Sequence, residues 1–332
     1  MAAAGKRILV TGGAGFIGSH IVEQLLAAGH QPAVLDDLSS GAKENIPSGV
    51  PFFHVDIRDP DATRKAFEEF RPQLVSHQAA QMSVSRSVRE PGFDASVNIM
   101  GLISVLDATV AVKAERVVIA SSGGVLYGDV TEPADEEHPA NPVSPYGISK
   151  LVGEAYLRFY HREHGITGAA LRYSNVYGPR QNPHGEAGVV AIFCTRMFRG
   201  EQSTINGDGR YDRDYVYVDD VAAANIASLT LPLKEPVRAF NVGTARKTDV
   251  NELAAELHTR CSQTLQNRKV GITPPAPNHG PARPGDLRSN VISPVRAGAE
   301  LSWKPKVDLA AGLERTVSWF ADRLLGTTSA GR

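Results

Sequence analysis

A glycine-rich turn near the start of the chain constrains the fold more than any other feature. Gly12, Gly15 and Gly18 are spaced G-x-x-G-x-x-G in "RILVTGGAGFIG", after an apolar run and before "SHIVEQLLAAG", whose apolar residues recur about every 3.6 positions. Glycine at a strand–helix junction allows a tight turn and lets backbone N–H groups approach a pyrophosphate at the helix N-terminus. The turn therefore predicts a dinucleotide-binding βα unit.

Short apolar runs alternate with helical patterns through the first half of the chain. Strands separated by helices in this way indicate a parallel sheet covered on both faces. We predict an α/β fold, a doubly wound parallel sheet of the Rossmann type, which binds its ligand at the carboxyl ends of the strands. The predicted strands are 6–12, 31–37, 50–57, 74–80, 116–122 and 168–175.

Composition and charge argue against several classes of function. With 42% hydrophobic and 21% charged residues and a net charge of −1, the chain gives no electrostatic reason to expect nucleic acid or a membrane as partner. Two cysteines, Cys194 and Cys261, cannot form a disulfide framework, and we expect a cytoplasmic protein. His161 and His164 have a metal-like spacing but no evident third ligand, so we predict no metal site.

Acidic residues at two predicted strand ends point to the kind of dinucleotide. Asp36 closes the second strand about 20 residues after the glycines, where a carboxylate hydrogen-bonds the adenosine ribose. A carboxylate there also repels a 2′-phosphate, which favours NAD over NADP. Asp37 is the alternative ribose ligand, and Asp56 and Ile57 end the third predicted strand, near the expected adenine.

The segment "YGISK" places Tyr146 and Lys150 four residues apart, on one face of a predicted helix. A phenol with a pKa of about 10 needs help to act as a base at neutral pH. A nearby ammonium group and a positive nicotinamide ring would lower that pKa. We predict that these two residues form a catalytic pair.

Blocks of sequence along the whole chain resemble one enzyme family. The blocks are "TGGAGFIG", "LDDLSSG", "DIRD", "HQAAQMSVSRSV", "VNIMG", "SSGGVLYGD", "SPYGISK", "LRYSNVYGPRQ", "GDGRYDRDYVYVDDVA" and "RPGDLRSN". In order and number they are similar to the extended short-chain dehydrogenases/reductases of the NAD-dependent epimerase/dehydratase family, closest to its UDP-glucose 4-epimerases.

The resemblance implies a UDP-hexose 4-epimerase with a tightly held NAD. Tyr146 would take the proton of the sugar 4-hydroxyl while hydride moves to NAD, and hydride would return to the other face of the 4-keto sugar. Lys150 would tune Tyr146 and hold the nicotinamide ribose. The cofactor-binding residues expected are Gly12, Gly15, Phe16, Ile17, Gly18, Asp36, Asp37, Asp56, Ile57, Ala79, Ala80, Asn98, Tyr146, Lys150 and Tyr173. The substrate-binding residues expected are Ser122, Gly123, Tyr146, Asn175, Arg213, Arg283, Asp286 and Asn290, with the arginines near the diphosphate.

The stretch "SSGGVLYGD" separates reactions within the family. Dehydration of the sugar needs an acid and a base, but 122–125 holds no carboxylate, which argues against dehydratase and decarboxylase chemistry. Many 4-epimerases have Ser or Thr where this chain has Gly123. Either Ser122 supplies the catalytic hydroxyl instead, or Tyr146 acts directly with a water in the gap.

Several alternatives stay open at this point. Gly123 and Asn290 are small enough to predict that UDP sugars with a 2-N-acetyl group are accepted as well. Another sugar-nucleotide epimerase or reductase is the alternative enzyme, acting for example on a uronic acid or a dTDP-sugar. A non-catalytic NAD-binding regulator is the alternative from another class, although it would not need Tyr146 and Lys150.

The organisation of the chain changes after about residue 176, where loops rich in Pro and Gly begin. We predict an NAD-binding Rossmann domain over 1–175 plus about 213–245, where "RDYVYVDDVAAANIASL" (213–229) is predicted to add a last strand and helix. A smaller discontinuous α/β domain over about 176–212 and 246–325 would bind the sugar nucleotide. The resemblance also implies a homodimer, in which the helix containing Leu102, Val105 and Leu106 contributes to the interface.

Overall fold

A computed structural model describes residues 5–183, 188–282 and 286–326. The strands are β1 (Arg7–Thr11), β2 (Gln31–Asp36), β3 (Phe52–His54), β4 (Leu74–His77), β5 (Arg116–Ser122), β6 (Thr167–Tyr173), β7 (Asn175–Tyr177), β8 (Thr204–Asn206), β9 (Asp212–Arg213), β10 (Tyr215–Tyr217), β11 (Val237–Val242), β12 (Asn278–Gly280) and β13 (Ser289–Asn290). The α-helices are α1 (Phe16–Ala27), α2 (Pro60–Phe70), α3 (Val84–Arg89), α4 (Pro91–Ala95), α5 (Gly101–Ala111), α6 (Gly123–Leu126), α7 (Pro145–His164), α8 (Val189–Phe198), α9 (Val218–Thr230), α10 (Val250–Asn267), α11 (Val295–Leu301) and α12 (Leu309–Leu325). A π-helical turn, Ser96–Met100, joins α4 to α5.

Seven parallel strands form the main sheet in the order β3-β2-β1-β4-β5-β6-β11. The order reverses between β1 and β4, and a doubly wound sheet binds its ligand in the crevice at such a point. The predicted Rossmann-type α/β fold is confirmed.

Helix α7 carries the Tyr146–Lys150 pair, and local sequence signals set both of its ends. The Ser144 hydroxyl accepts a hydrogen bond from the N–H of Gly147 (3.1 Å), and Pro145 is the first helical residue. Gly165 ends the helix with a left-handed φ of 73°. Tyr146 therefore lies in the first turn, next to the carboxyl ends of the strands.

Three large hydrophobic clusters fill the molecule. One covers the sheet face that packs on α1 and α9 and includes Val10 and Val221, and a second covers the opposite face and includes Leu9 and Leu106. The third cluster lies away from the sheet, between α8, α10 and α12, and includes Phe198. This third cluster is a hydrophobic core of its own, which allows a separate folding unit to pack beside the carboxyl edge of the sheet.

The helical stretch Pro91–Ala111 has 21 residues and a mean hydropathy of 1.4, enough by length and composition alone to cross a membrane. It packs here as a core helix, because its Leu102, Val105 and Leu106 are all at most 3% exposed inside the second sheet cluster. These three side chains face the protein's own core, and the contribution of their helix to a subunit interface stays a prediction.

Two strand predictions differ from the structure. The seventh strand of the sheet, β11, is not predicted by the sequence pattern, because polar residues such as Arg238 and Asn241 interrupt its apolar run. The strand predicted before α9 exists as β10, but it pairs with β7 in a separate two-stranded sheet. Helix α9 itself returns to the main sheet, where it packs against α1.

Candidate active site

The glycine-rich turn connects the carboxyl end of β1 to α1. Gly12 has a left-handed φ of 69°, and a Cβ atom added there would lie 2.6 Å from the backbone N of Ala79. A Cβ atom on Gly18 would overlap the carbonyl oxygen of Gly12, and Gly15 is the N-cap residue of α1. The turn is thus bare backbone at a helix N-terminus, which fits the pyrophosphate of a dinucleotide.

We expect Gly18→Ala to reduce the NAD content of the purified protein and to lower its free energy of unfolding by about 1–3 kcal/mol. The added methyl group would push α1 away from Gly12, on which the pyrophosphate cradle depends. Gly92→Ala is the matched control, because a Cβ atom there meets nothing within 4 Å. Released NAD and urea unfolding are the measurements, and equal NAD content in both variants would contradict the prediction.

Asp36 and Asp37, at the end of β2, have different environments in the structure. The Asp36 carboxylate accepts hydrogen bonds from the backbone N–H groups of Ala14 (3.0 Å) and Leu38 (2.8 Å), so it lies against the glycine-rich turn. Burial raises the pKa of Asp36, and the two hydrogen bonds oppose that rise. Asp37 is exposed and accepts hydrogen bonds from Ser39. Asp36 is the better placed of the two to meet a cofactor in this turn.

Four other residues expected at the cofactor have side-chain partners of their own. Asp56 follows β3 and forms an ion pair with Arg58 at 2.5 Å, whose hydrogen bonds hold the Asp56 pKa below its usual value. The side chain of Ile57 is buried in the second sheet cluster. Phe16 and Ile17 pack against the third cluster, so the start of α1 touches the core that lies away from the sheet.

Asn98 holds the segment after β4 beside the glycine-rich turn. It lies in the π-helical turn, where its Nδ2 donates to the carbonyl of Gln81 and its Oδ1 accepts from the N–H of Gln81, both at 2.9 Å. Ala79 and Ala80 belong to this segment, and the backbone of Ala79 is the one that closely approaches Gly12. The structure thus brings all three residues to the crevice between β1 and β4.

Tyr146 and Lys150 lie together on α7. The Lys150 ammonium is 5.6 Å from the centre of the Tyr146 ring and donates a hydrogen bond to the Ala120 carbonyl at 3.0 Å. Burial lowers the pKa of Lys150 to about 8, and the charge of Asp94 opposes the fall. A buried amine with a pKa near neutrality responds readily to charge placed beside it.

The Tyr146 phenol has a raised pKa in the protein alone. The pKa is raised to about 12, chiefly by burial and further by the negative charge of Asp94. The predicted fall requires a positive nicotinamide ring as well as Lys150, and it stays a prediction. The Ser122 hydroxyl lies near the phenol and lowers the pKa of Tyr146 in part. The structure therefore brings together the three predicted catalytic residues, Ser122, Tyr146 and Lys150.

The space beside Gly123 is occupied, so the prediction that this glycine leaves room for a substrate is wrong. A Cβ atom on Gly123 would lie 2.7 Å from Cδ1 of Ile292, and one on Gly243 would lie 2.7 Å from Cγ1 of the same side chain. A Cβ atom on Gly124 would meet only the Ser122 hydroxyl, at 3.7 Å. The open space next to Ser122 is thus provided by Gly124.

The residues expected at the sugar nucleotide follow the carboxyl ends of β6 and β9. The Asn175 amide donates to the Asp214 carbonyl at 3.2 Å. Arg213 forms an ion pair with Asp286 at 2.6 Å, in which its guanidinium is 15% and the carboxylate 31% exposed. A diphosphate would compete with Asp286 for this arginine. Arg283 lies outside the described residues.

Asn290 is closed off from solvent. It is 1% exposed, its Nδ2 donates to the Gly128 carbonyl at 3.5 Å, and its buried Oδ1 has no hydrogen-bond partner among the residues that the structure describes. A side chain buried in this way does not line an open pocket. The use of Asn290 to predict room for a 2-N-acetyl group is therefore not supported by its position.

Comparison with known proteins agrees with this arrangement. The model of the NAD dependent epimerase/dehydratase family matches residues 8–243. The chain belongs to this family. A UDP-glucose 4-epimerase of Mycolicibacterium smegmatis is 44% identical over 323 residues, covering 96% of this chain and 99% of the relative.

Solved structures of family members have the same fold. A UDP-glucose 4-epimerase of Thermotoga maritima, solved with UDP-glucose, has a TM-score of 0.87 and 44% identity, and the match covers 96% of this chain and 99% of that one. A UDP-glucose 4-epimerase of Thermus thermophilus, in complex with NAD, has a TM-score of 0.85 and 46% identity over 95% of this chain and 98% of that one. Like the rest of its family, the chain is NAD-dependent.

Tyr173, expected near the cofactor, lies beside Ser122 on the neighbouring strand. Its hydroxyl donates to Gln78 Oε1 (3.0 Å) and accepts from Asn225 Nδ2 (2.8 Å), and burial raises its pKa. Gln78 Nε2 also donates to Asn225 Oδ1 at 3.0 Å, which closes the network. Gln78 and Asn225 are not predicted by the sequence, because three separate segments of the chain supply this network.

A buried ion pair beneath the site is also not predicted by the sequence. Arg172, on β6, donates from Nε and Nη2 to the two carboxylate oxygens of Glu154 on α7, at 2.9 and 2.8 Å. Burial would lower the pKa of Arg172, but its hydrogen bonds to Glu154 raise it instead. A sequence feature that points to this ion pair is Arg172 itself, a charged residue inside the apolar run "GAALRYSN". An arginine in a buried strand needs a partner of opposite charge.

Proposed function

We propose that this protein is an NAD-dependent UDP-hexose 4-epimerase that interconverts UDP-glucose and UDP-galactose through a transient 4-keto sugar. The observation that carries the proposal is the pair of Tyr146 and Lys150 on α7, with the ammonium 5.6 Å from the centre of the phenol ring and Ser122 near the phenol. The curated M. smegmatis relative and the two solved relatives are UDP-glucose 4-epimerases. No carboxylate occurs from 122 to 125 to support dehydration.

Each of the three residues has a distinct part in the proposed reaction. Bound NAD supplies the acceptor and donor of hydride at sugar C4. Tyr146 takes the proton of the 4-hydroxyl and gives it back after the sugar has presented its other face. Ser122 orients that hydroxyl and donates to the phenol. Lys150 holds positive charge beside the phenol and lowers the free energy of its ionised form.

The domain organisation that we propose follows the sequence prediction. Residues 1–175 with about 213–245 would bind NAD, and about 176–212 with 246–325 would bind the UDP sugar. The two sheet clusters support the first unit, and the third cluster, between α8, α10 and α12, supports the second. A cytoplasmic location is consistent with two free, buried cysteines, Cys194 and Cys261.

We also propose a homodimer, whose interface includes exposed apolar side chains on α7 and the adjacent π-helical turn. Ile148 and Phe159 on α7 are 49% and 43% exposed, and Met100 in the adjacent π-helical turn is 57% exposed. Residues 148 and 159 are about three helical turns apart and lie on one face of α7. Exposed apolar side chains on two adjacent helices are typical of a subunit contact.

The test of the function is a proton NMR time course with the purified protein and no added NAD, against UDP-galactose and UDP-N-acetylgalactosamine in separate samples. We expect conversion of UDP-galactose to UDP-glucose, which requires NAD to be retained and recycled. Conversion of the N-acetyl sugar as well would extend the substrate range, with Gly124 as the residue that leaves space.

A contrary result would also be informative. If neither UDP sugar is converted, even after NAD is added, the proposed function is wrong. A uronic acid or dTDP-sugar converted instead would identify another epimerase or reductase of the family. Bound NAD that no sugar nucleotide reduces would point to a non-catalytic NAD-binding regulator.

A further inference from the structure

The short turn that carries Ser122 is attached at both of its ends to the same buried ion pair. Before the turn, the Ser121 hydroxyl donates to Glu154 Oε1 at 2.7 Å. After the turn, the Tyr127 hydroxyl accepts a hydrogen bond from Arg172 Nη1 at 2.8 Å. Arg172 and Glu154 are joined to each other by two hydrogen bonds, so the positions of residues 121 and 127 depend on one rigid unit.

This unit joins several elements and is closed to water. Ser121, Tyr127 and Glu154 are at most 2% exposed and Arg172 is 7% exposed. The Tyr127 hydroxyl also donates to Asn241 Oδ1 on β11 at 2.7 Å. Burial raises the pKa of Tyr127 to about 12, so its phenol stays neutral and keeps both hydrogen bonds.

The helix that carries Tyr146 and Lys150, α7, is part of the same buried unit, because Glu154 belongs to it. Glu154 lies eight residues after Tyr146 and four after Lys150 on α7, so a bond to Glu154 is also a bond to the helix that presents the phenol. Ser122 lies between Ser121 and Tyr127 and is near that phenol. The separation between the Ser122 hydroxyl and the Tyr146 phenol is therefore set by contacts that neither residue makes itself.

We propose that Tyr127 is a positioning residue, which holds the turn that carries Ser122 against the helix that carries Tyr146 by fixing that turn to Arg172 and Glu154. This rests on the proposed epimerase function for its kinetic consequence but not for its geometry. Tyr127 does not touch the reacting atoms, so its effect on turnover passes through the Ser122 hydroxyl. Once that hydroxyl is absent, Tyr127 has little left to position.

The test is a double-mutant cycle of Tyr127→Phe and Ser122→Ala. We expect Tyr127→Phe to lower kcat about tenfold with KM and NAD content unchanged. In the Ser122→Ala background the same change should lower kcat by less than about twofold. Equal factors in both backgrounds would overturn the proposal, because a merely structural tyrosine acts whether or not Ser122 is present.

Tyr160→Phe is the matched control, since Tyr160 is also buried and its hydroxyl donates to Asp107 at 2.5 Å, away from the turn. We expect it to leave kcat unchanged. Crystal structures of both variants decide the geometry without any activity. A longer distance between the Ser122 and Tyr146 hydroxyls in Tyr127→Phe alone would support the proposal, and an unchanged distance would overturn it. A wild-type protein that converts no sugar nucleotide would refute the proposed function, and this structural comparison would still stand.

Discussion

Tyr146→Phe is expected to lower kcat by about 10²- to 10⁴-fold, the usual contribution of a positioned acid–base group. The phenyl ring fills the same space on α7, but no group then takes the proton of the sugar 4-hydroxyl. The NAD content and KM should change little, because the loss concerns an interaction of the transition state. Initial rates with UDP-galactose over a range of concentrations are the measurement.

The control for this prediction is Tyr156→Phe, on the same helix and partly exposed. It removes the same hydroxyl group from α7 away from the Ser122–Tyr146 contact and should retain the wild-type kcat. If Tyr146→Phe kept more than about a tenth of the wild-type kcat, another group would have to take the proton, and Tyr146 could not have the role proposed here.

Arg172→Met is expected to lower the free energy of unfolding by about 3–5 kcal/mol, because it leaves the Glu154 carboxylate buried without its cation. Glu154 is only 1% exposed, so water cannot replace the guanidinium. Arg172→Met combined with Glu154→Leu should recover most of that loss, since a buried ion pair is often replaceable by apolar side chains of similar volume. Urea unfolding of the three variants measures these differences.

An arginine-to-methionine substitution at an exposed ion pair is the control for Arg172→Met. Arg64 and Glu68 lie four residues apart on α2, with side chains 64% and 53% exposed. Arg64→Met should stay within about 1 kcal/mol of the wild type, because water screens such a pair. If the double variant at 172 and 154 is no more stable than Arg172→Met, burial of the unpaired Glu154 charge is not the cause of the lost stability.

Features that depend on neighbouring residues were predictable from the sequence. The glycines at 12, 15 and 18 predict the strand–turn–helix unit, since a Cβ atom at Gly12 or Gly18 would collide with backbone. The spacing of Tyr146 and Lys150 predicts their shared helix face for the same kind of local reason. The resemblance to the family supplied Ser122 as one of two alternatives, and in the structure its hydroxyl is near the phenol.

Features that depend on distant segments were not predictable in this way. The sequence gives no sign that Tyr127, Glu154 and Asn241 meet Arg172, because periodicity orients a side chain without naming its partner. The raised pKa of Tyr146 in the protein alone is not predictable for a related reason. It depends on how much water the folded chain removes from the phenol, and the spacing of two residues does not determine that quantity.

The side chain of Ile292 between Gly123 and Gly243 has a consequence for how this site could evolve. A larger residue at 123 meets the end of the isoleucine side chain, whereas one at 243 meets the Asp214 carboxylate first. A smaller residue at 292 makes room at 123, but by itself it leaves a cavity and lowers stability. Positions 123 and 292 therefore form one epistatic pair, because a hydroxyl-bearing side chain at 123 needs Ile292 to move aside or to be exchanged for a smaller residue.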